Sequence, residues 1–311
     1  MRNIRTKNNV DLSVEIAGIK MKNPVLAASG AFGYGTEYLP LVSPALFGAV
    51  ITKTVTLLPR AGNVPPRIYE TPMGMLNSIG LANVGVHRFL EEKLPELLSH
   101  HPLVIVNIAG NTMEEYAELA GMLNGQPGIS AIELNISCPN VKQGGMAFGA
   151  DPIQAVKLTT LVKKATSKPL IVKLSPNVSD IAAIARAVEQ AGADALSLIN
   201  TLYGMAIDIE RQKPVLGNVT GGLSGPAIKP VALYNVFKTS RAVNIPVIGL
   251  GGIMTAGDAV EFMLAGAAAV QIGTAGFINP NTVKEIVNGL KDYCLKKKYP
   301  EVSQITGKLA V

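Results

Sequence analysis

"LIVKLSPNVSDIAAIARAVEQAGADALSLINT", residues 170–201, contains one complete unit of the fold. Its ends, "LIVKLSP" (170–176) and "ALSLINT" (195–201), are short apolar runs that close on small or polar residues. Between them Ile181, Ile184, Ala185 and Val188 recur at i, i+3, i+4 and i+7, which lays one apolar stripe along a helix. Gly192 supplies a stop, because glycine enters the left-handed conformation at a helix end without a Cβ clash. Strand, amphipathic helix and strand in this order predict parallel pairing. Runs that are apolar throughout predict burial on both faces.

The same pattern recurs in both directions. The further strand-like runs are "PVLAASG" (24–30), "AVITKTV" (49–55), "LVIVNIAG" (103–110), "AIELNIS" (131–137), "IPVIGLGG" (245–252) and "AVQIGTA" (269–275). Eight such units in 311 residues predict a (β/α)8 TIM barrel, with an open doubly wound sheet as the alternative. Thr112, three residues before Glu115, has the spacing of a capping box. "DLSVEIAGIKMKNP" (11–24) alternates and turns at Gly18, which predicts an N-terminal β-hairpin closing the barrel's bottom. Three connections, 55–85, 138–151 and 202–226, are too long for turns. All follow a strand's C-terminal end, so these long loops belong on the face where barrel active sites form.

Composition narrows the class. Hydrophobic residues at 48% and charged residues at 16% are enough for a sizeable core and argue against disorder. The net charge of +6 is scattered, apart from "LKKKY" (295–299), a solvated helix end rather than a nucleic-acid patch. Cys138 and Cys294 are too few for a disulfide framework. "MRNIRTKNNV" lacks the apolar core of a signal peptide, and no uncharged apolar run reaches 18 residues. The expectation is a cytoplasmic protein with no membrane span and no nucleic-acid partner. The three histidines, His87, His100 and His101, have no carboxylates at metal-ligand spacing, so no metal is expected.

The strand ends carry the polar chemistry. They present Ser29, Lys53 with Thr54, Asn107, Asn135, Lys173, Asn200 with Thr201, Gly251 with Gly252, and Gly273 with Thr274. Two lysines and three amides at the mouth of an apolar barrel are costly without partners, and a polar ligand would supply them. The glycines of the last two strands place bare backbone where barrel loops bind phosphate. They are not a dinucleotide fingerprint, because Met254 stands where its third glycine is required. A phosphate site together with Lys173, able to hold negative charge on a ring, fits flavin mononucleotide (FMN).

Cys138 stands where the strand "AIELNIS" gives way to "PNVKQGGMAFGAD". Gly144, Gly145 and Gly149 would let that loop fold over a ligand as a lid. A free thiol titrates near ~8.5, within the working range of a general base. Cys138 could take a proton from carbon while a hydride leaves the adjacent carbon. Cys294, in "KDYCLKKKY", reads as structural.

Together "NISCPN" (135–140), "NSIGLAN" (77–83), "INTLYGMAID" (199–208), "GGLSGPAIKP" (221–230), "IGLGGI" and "IGTA" resemble dihydroorotate dehydrogenase, from about Asp11 to the C-terminus. A cysteine at the base position resembles class 1, since class 2 members place serine there and carry a membrane-associated extension. "NVKQGGMAFG" and "INTLYGMAID" resemble class 1B, the catalytic subunit of a two-protein, NAD-linked enzyme, rather than the fumarate-linked class 1A. The resemblance implies a single FMN-binding barrel over 11–311, with residues 1–10 a flexible extension. It implies oxidation of (S)-dihydroorotate to orotate in pyrimidine synthesis, the C5 proton going to Cys138 and the C6 hydride to FMN. By the same resemblance Lys53, Asn77, Ser78, Ile79, Gly80, Leu81, Asn135, Asn200 and Thr201 contact substrate. Ser29, Lys53, Thr54, Asn107, Asn135, Lys173, Ile199, Gly225, Gly251, Gly252, Gly273 and Thr274 contact FMN. A partner subunit carrying FAD, a [2Fe–2S] cluster and the NAD site is implied, assembled as a heterotetramer on a homodimer of this chain.

The rival readings are the flavin barrel of dihydropyrimidine dehydrogenase, in which a histidine usually follows the "SCP" that Asn140 follows here, and a tRNA-dihydrouridine synthase. The second would need an RNA-binding segment, and none is evident after residue 280. A non-catalytic flavin scaffold is disfavoured by Cys138 standing beside the full set of polar strand ends.

Overall fold

The computed structural model describes residues 10–137 and 146–311. Most of the expected N-terminal extension, Cys138 and the glycines 144 and 145 of the expected lid lie outside the described residues. Eight strands form the barrel: β1 (Val25–Ala27), β2 (Ala49–Ile51), β3 (Val104–Ile108), β4 (Ile129–Asn135), β5 (Leu170–Lys173), β6 (Ala195–Leu198), β7 (Val247–Leu250) and β8 (Ala269–Ile272). Each pairs in parallel with the next, and β8 closes on β1 through Val270 opposite Val25. Seven fall within the apolar runs of the sequence, and β4 starts two residues before its run. Seven are buried at every position, and β4 at all but one. One face of each packs into the barrel and the other lies under helices, which is why these runs do not alternate.

The unit between β5 and β6 forms as its pattern predicts. Helix Ile181–Gln190 buries Ile181, Ile184, Ala185 and Val188. Asp180 caps it by accepting from the Ala182 amide at 3.1 Å. Gly192, at φ +100°, ends it in a conformation that a Cβ would strain. Helix Met113–Asn124 starts at Thr112, whose hydroxyl accepts from the Glu115 amide at 3.3 Å. The reciprocal half of that capping box is displaced by one residue, because the Glu115 carboxylate takes the Asn111 amide at 2.7 Å. A complete box caps helix Ala256–Leu264, with Thr255 and Asp258 each accepting from the other's amide. The connection from β1 to β2 carries only the 3-10 turn Pro44–Leu46.

The hairpin forms from Val14–Ile16 and Ile19–Met21, with Ala17 and Gly18 both at positive φ as a two-residue primed turn requires. Its buried residues, Ile16 and Met21 among them, join the core. The connections 55–85 and 202–226 are not structureless. A hairpin from each joins the other edge to edge as one antiparallel sheet in the order Leu202–Gly204, Gly221–Ser224, Gly74–Asn77, Ile68–Thr71. Ser224 of this sheet meets Thr274, just beyond β8, through hydroxyls 2.8 Å apart, so the sheet borders the barrel's C-terminal mouth.

Candidate active site

Side chains from the even-numbered strands meet inside the barrel around a carboxylate. Glu133 of β4 is fully buried. Its Oε2 accepts from Ser197 Oγ of β6 at 2.8 Å and from Gln271 Nε2 of β8 at 3.0 Å. Its Oε1 accepts from Asn107 Nδ2 at 2.7 Å and lies 3.8 Å from Lys173 Nζ. A charge this deep requires such a set of donors. Lys173 reaches onward to Ser29 Oγ at 3.0 Å, and Asn107 Oδ1 accepts from Thr54 Oγ1 at 2.6 Å. The polar strand ends of β1 to β5 are thus tied together through one buried network.

Above it the mouth encloses a cavity of about 280 Å³. Ser29, Lys53 and Thr54 line one side, and Asn77, Ile79, Gly80 and Leu81 another. Asn135, Lys173, Ile199, Asn200 and Thr201 line the wall across β4 to β6. Gly225, Gly251, Gly252, Gly273 and Thr274 complete it. Two expected residues do not line it. Asn107 sits in the network described above. Ser78 is buried and alternates with Asn77 and Ile79, so its side chain turns to the opposite face of an extended segment. Its backbone instead holds the loop, donating to Arg67 O at 2.7 Å and accepting from Asn63 Nδ2 at 3.1 Å.

The rim between β4 and β6 is latched by amides. Asn200 Nδ2 donates to Ser137 Oγ at 2.9 Å, and Asn135 Oδ1 accepts from the same hydroxyl at 3.1 Å. Tyr116 Oη donates to Asn135 O at 2.9 Å. Ser137, the residue immediately before Cys138, is therefore held by the side chains of Asn200 and Asn135, and Asn135 is held in turn by Tyr116. Asn177 Nδ2 donates to Thr201 O at 3.0 Å, holding the start of the next excursion.

The two lysines differ. Lys173 has Glu133 beside it. Among the described residues no carboxylate pairs with Lys53, whose charge at the cavity is left for an anion. Near the glycines, Lys229 bridges Asp258 at 2.6 Å and Glu261 at 3.0 Å. Hydrogen bonds to both carboxylates push the Lys229 ammonium up. Burial pushes Asp258 up, but bonds from Lys229 and the Met254 and Thr255 amides prevail and hold it below its ordinary value. Burial raises the thiol of Cys294, which sits in the core as its helix pattern predicts.

The glycines separate into two kinds. A Cβ on Gly249 would lie 2.5 Å from Phe262 Cδ1, and one on Gly252, at φ +80°, 2.8 Å from the Lys229 amide. Both are required by packing. A Cβ on Gly273 would make only ordinary contacts at 3.7 Å, so the fold does not demand glycine there. Its absence keeps backbone open to the cavity.

Glu133, Ser197 and Gln271 carry no motif and are not among the residues that sequence pattern singles out. Their signal is a lone polar residue in mid-strand, inside "AIELNIS", "ALSLINT" and "AVQIGTA".

Comparison with known proteins bears on what these residues serve. The profile of the dihydroorotate dehydrogenase family matches residues 11–294. A protein of Citrifermentans bemidjiense is 58% identical over 96% of this chain and 98% of its own, and one of Geotalea daltonii 57% identical over 97% and 99%. One of Geobacter sulfurreducens is 56% identical over 97% and 99%. All three are named dihydroorotate dehydrogenase B (NAD(+)), catalytic subunit. With a closed parallel barrel and a polar cavity at its mouth, a match of this length and identity shows that the chain belongs to the dihydroorotate dehydrogenase family.

Proposed function

We propose that this chain is the catalytic subunit of an NAD-linked dihydroorotate dehydrogenase, oxidising (S)-dihydroorotate to orotate in pyrimidine synthesis with FMN in the barrel-mouth cavity. The observation that carries this reading is the pairing of the lysines: one neutralised by Glu133 beneath the cavity, the other without a carboxylate partner among the described residues. An anionic substrate needs the unpaired lysine, and a planar cofactor that gains negative charge suits the buried one.

The residues present fit FMN. Gly273 leaves open backbone, Thr274 and Ser224 offer hydroxyls, and Ser29 with Lys173 offers further donors to the cavity. When bound, FMN supplies the acceptor for the C6 hydride. Lys173, Ser29, Thr54, Ile199, Gly225, Gly251, Gly252, Gly273 and Thr274 are the residues assigned to hold it, with Asn107 acting from beneath through Thr54.

Lys53 faces the substrate carboxylate, and the amides of Asn77, Asn135 and Asn200 pair with the edges of the ring, since each offers both a donor and an acceptor. The backbone of Ser78, with Ile79, Gly80 and Leu81, shapes that side of the site. Thr201 closes the rim. Cys138, next in sequence after the anchored Ser137, takes the C5 proton as general base. The electrons leave through a partner subunit with FAD and a [2Fe–2S] cluster, which reduces NAD+, in a heterotetramer built on a dimer of this chain. Residues 11–311 act as one FMN-binding unit in the cytoplasm. Among the described residues, no helix is long and apolar enough to cross a membrane.

Anaerobic titration of the purified, flavin-loaded protein tests the reading. Dihydroorotate should bleach the bound flavin, and denaturation should release FMN. Cys138→Ser should retain FMN and bleach about 10²–10⁴-fold more slowly, with the rate rising with pH. Bleaching by dihydrouracil but not dihydroorotate, or release of FAD alone, would overturn it.

A further inference from the structure

Gln271 lies in the middle of β8, lines the cavity and is 1% exposed. Its Nε2 donates to Glu133 Oε2. Glu133 accepts from Ser197 and Asn107 as well, with the Lys173 ammonium 3.8 Å away. A carboxylate in this setting only accepts, so the Gln271 amide cannot turn its oxygen toward Glu133. The partner, rather than any choice between two amide orientations, decides which end is free. The free end is Oε1, buried and without a hydrogen-bond partner among the described residues.

Three other buried side-chain atoms share that condition, the hydroxyls of Ser78, Thr159 and Thr239. Thr159 and Thr239 lie inside helices, where a hydroxyl can turn to the carbonyl one turn back. None of the three lines the cavity. Gln271 does, and an amide oxygen fixed by its own nitrogen cannot rotate to find another donor. Leaving such an acceptor dry is unfavourable unless something that enters the cavity supplies the donor.

We propose that Gln271 is a further ligand-binding residue of this site, held by Glu133 so that its carbonyl oxygen accepts a hydrogen bond from the bound flavin. Glu133 is then a positioning residue, acting through Gln271, Asn107 and Lys173. The inference rests on the FMN reading. Two parts of FMN carry donors, the ring imide N–H and the ribityl hydroxyls, and the shared chemistry is a single donor to Oε1.

The test is FMN affinity rather than turnover. The full chain is stripped of flavin and titrated with FMN, with 3-methyl-FMN, which lacks the imide donor, and with an analogue whose ribityl hydroxyls are replaced by hydrogen. Gln271→Met, close in size but without an acceptor, should bind FMN on the order of 10–100-fold more weakly than the wild type, the effect of leaving one buried donor unmet. The variant should lose little or nothing further with one of the two analogues. Insensitivity to 3-methylation identifies the ring N–H, and insensitivity to loss of the hydroxyls identifies the ribityl chain. An equal loss with all three ligands, or unchanged FMN affinity, overturns the proposal, since a wall residue without a direct bond does not distinguish donors. Should Gln271→Met not fold, Gln271→Asn withdraws the oxygen and is read in the same way. Wild-type protein that takes up none of the three flavins overturns the FMN reading itself, a result distinct from either outcome in the variant.

Discussion

Lys53 and Lys173 reach the same cavity, but among the described residues only Lys173 has a carboxylate beside it. Placing Glu133 under one lysine and nothing under the other leaves net positive charge on one side of the site. Lys53→Met keeps the stem and removes the charge. Orotate affinity of the FMN-loaded variant, read from the flavin spectrum, should fall about 10–100-fold, as for loss of a charge-assisted hydrogen bond. Affinity for the uncharged amide of orotate should change little. Equal losses for both would show that Lys53 only shapes the cavity. The lysines and asparagines at strand ends were legible because their positions follow from where each apolar run stops. Glu133 and Gln271 were not. A polar residue in mid-strand reads locally as a weak strand signal, and only closure of the barrel brings β4, β6 and β8 to one point. Ser78 shows the opposite case. It stands in a motif that points to the ligand, yet its side chain is buried off the cavity, which leaves its backbone to shape that side of the site.

The elements around the cavity differ in how much the chain announced. Barrel strands and their helices are local patterns, and all eight runs became strands. The sheet joining 68–77 to 202–224 is assembled from segments far apart in sequence, Gly222 opposite Asn77 among them, and no local periodicity reports such a pairing. The capping box on helix Ala256–Leu264 is local, but its significance lies in Lys229, which reaches Asp258 from the start of helix Lys229–Ser240. Gly252, between these two helix starts in space, has no room for a side chain. Asp258 thus braces the glycine backbone of the cavity. Its carboxyl is held below its ordinary value, so its stabilisation is full above about pH 4 and is lost as pH falls through the folded-state value. Asp258→Asn keeps a capping group and removes the charge. It should lower stability by about 1 kcal/mol at neutral pH. The gap from the wild type in denaturant unfolding should shrink as the pH falls below about 4. A gap independent of pH would assign the effect to shape instead of charge.

At the scale of the whole molecule, the described residues gather the polar strand ends around one cavity, and the sequence carries no dinucleotide-binding fingerprint beside it. "GLGGIM" lacks the third glycine of a dinucleotide loop, and Gly249 is accounted for by its packing against Phe262. An iron–sulfur cluster usually takes four cysteine ligands. The sequence has two cysteines, and Cys294 is buried in the core. The relatives' names give NAD(+) and call each a catalytic subunit, and on the proposed function electrons taken from dihydroorotate reach NAD+ through another protein. The isolated chain, loaded with FMN, should reduce a dye with dihydroorotate but form little NADH from NAD+. Adding the cognate electron-transfer subunit should restore NADH formation, and the two should co-elute as one assembly carrying FMN, FAD and iron. Rapid NAD+ reduction by the isolated chain would place a nicotinamide site on this barrel and remove the need for a partner. Efficient fumarate reduction without response to the partner would instead make this chain self-sufficient, with fumarate taking electrons at the same cavity.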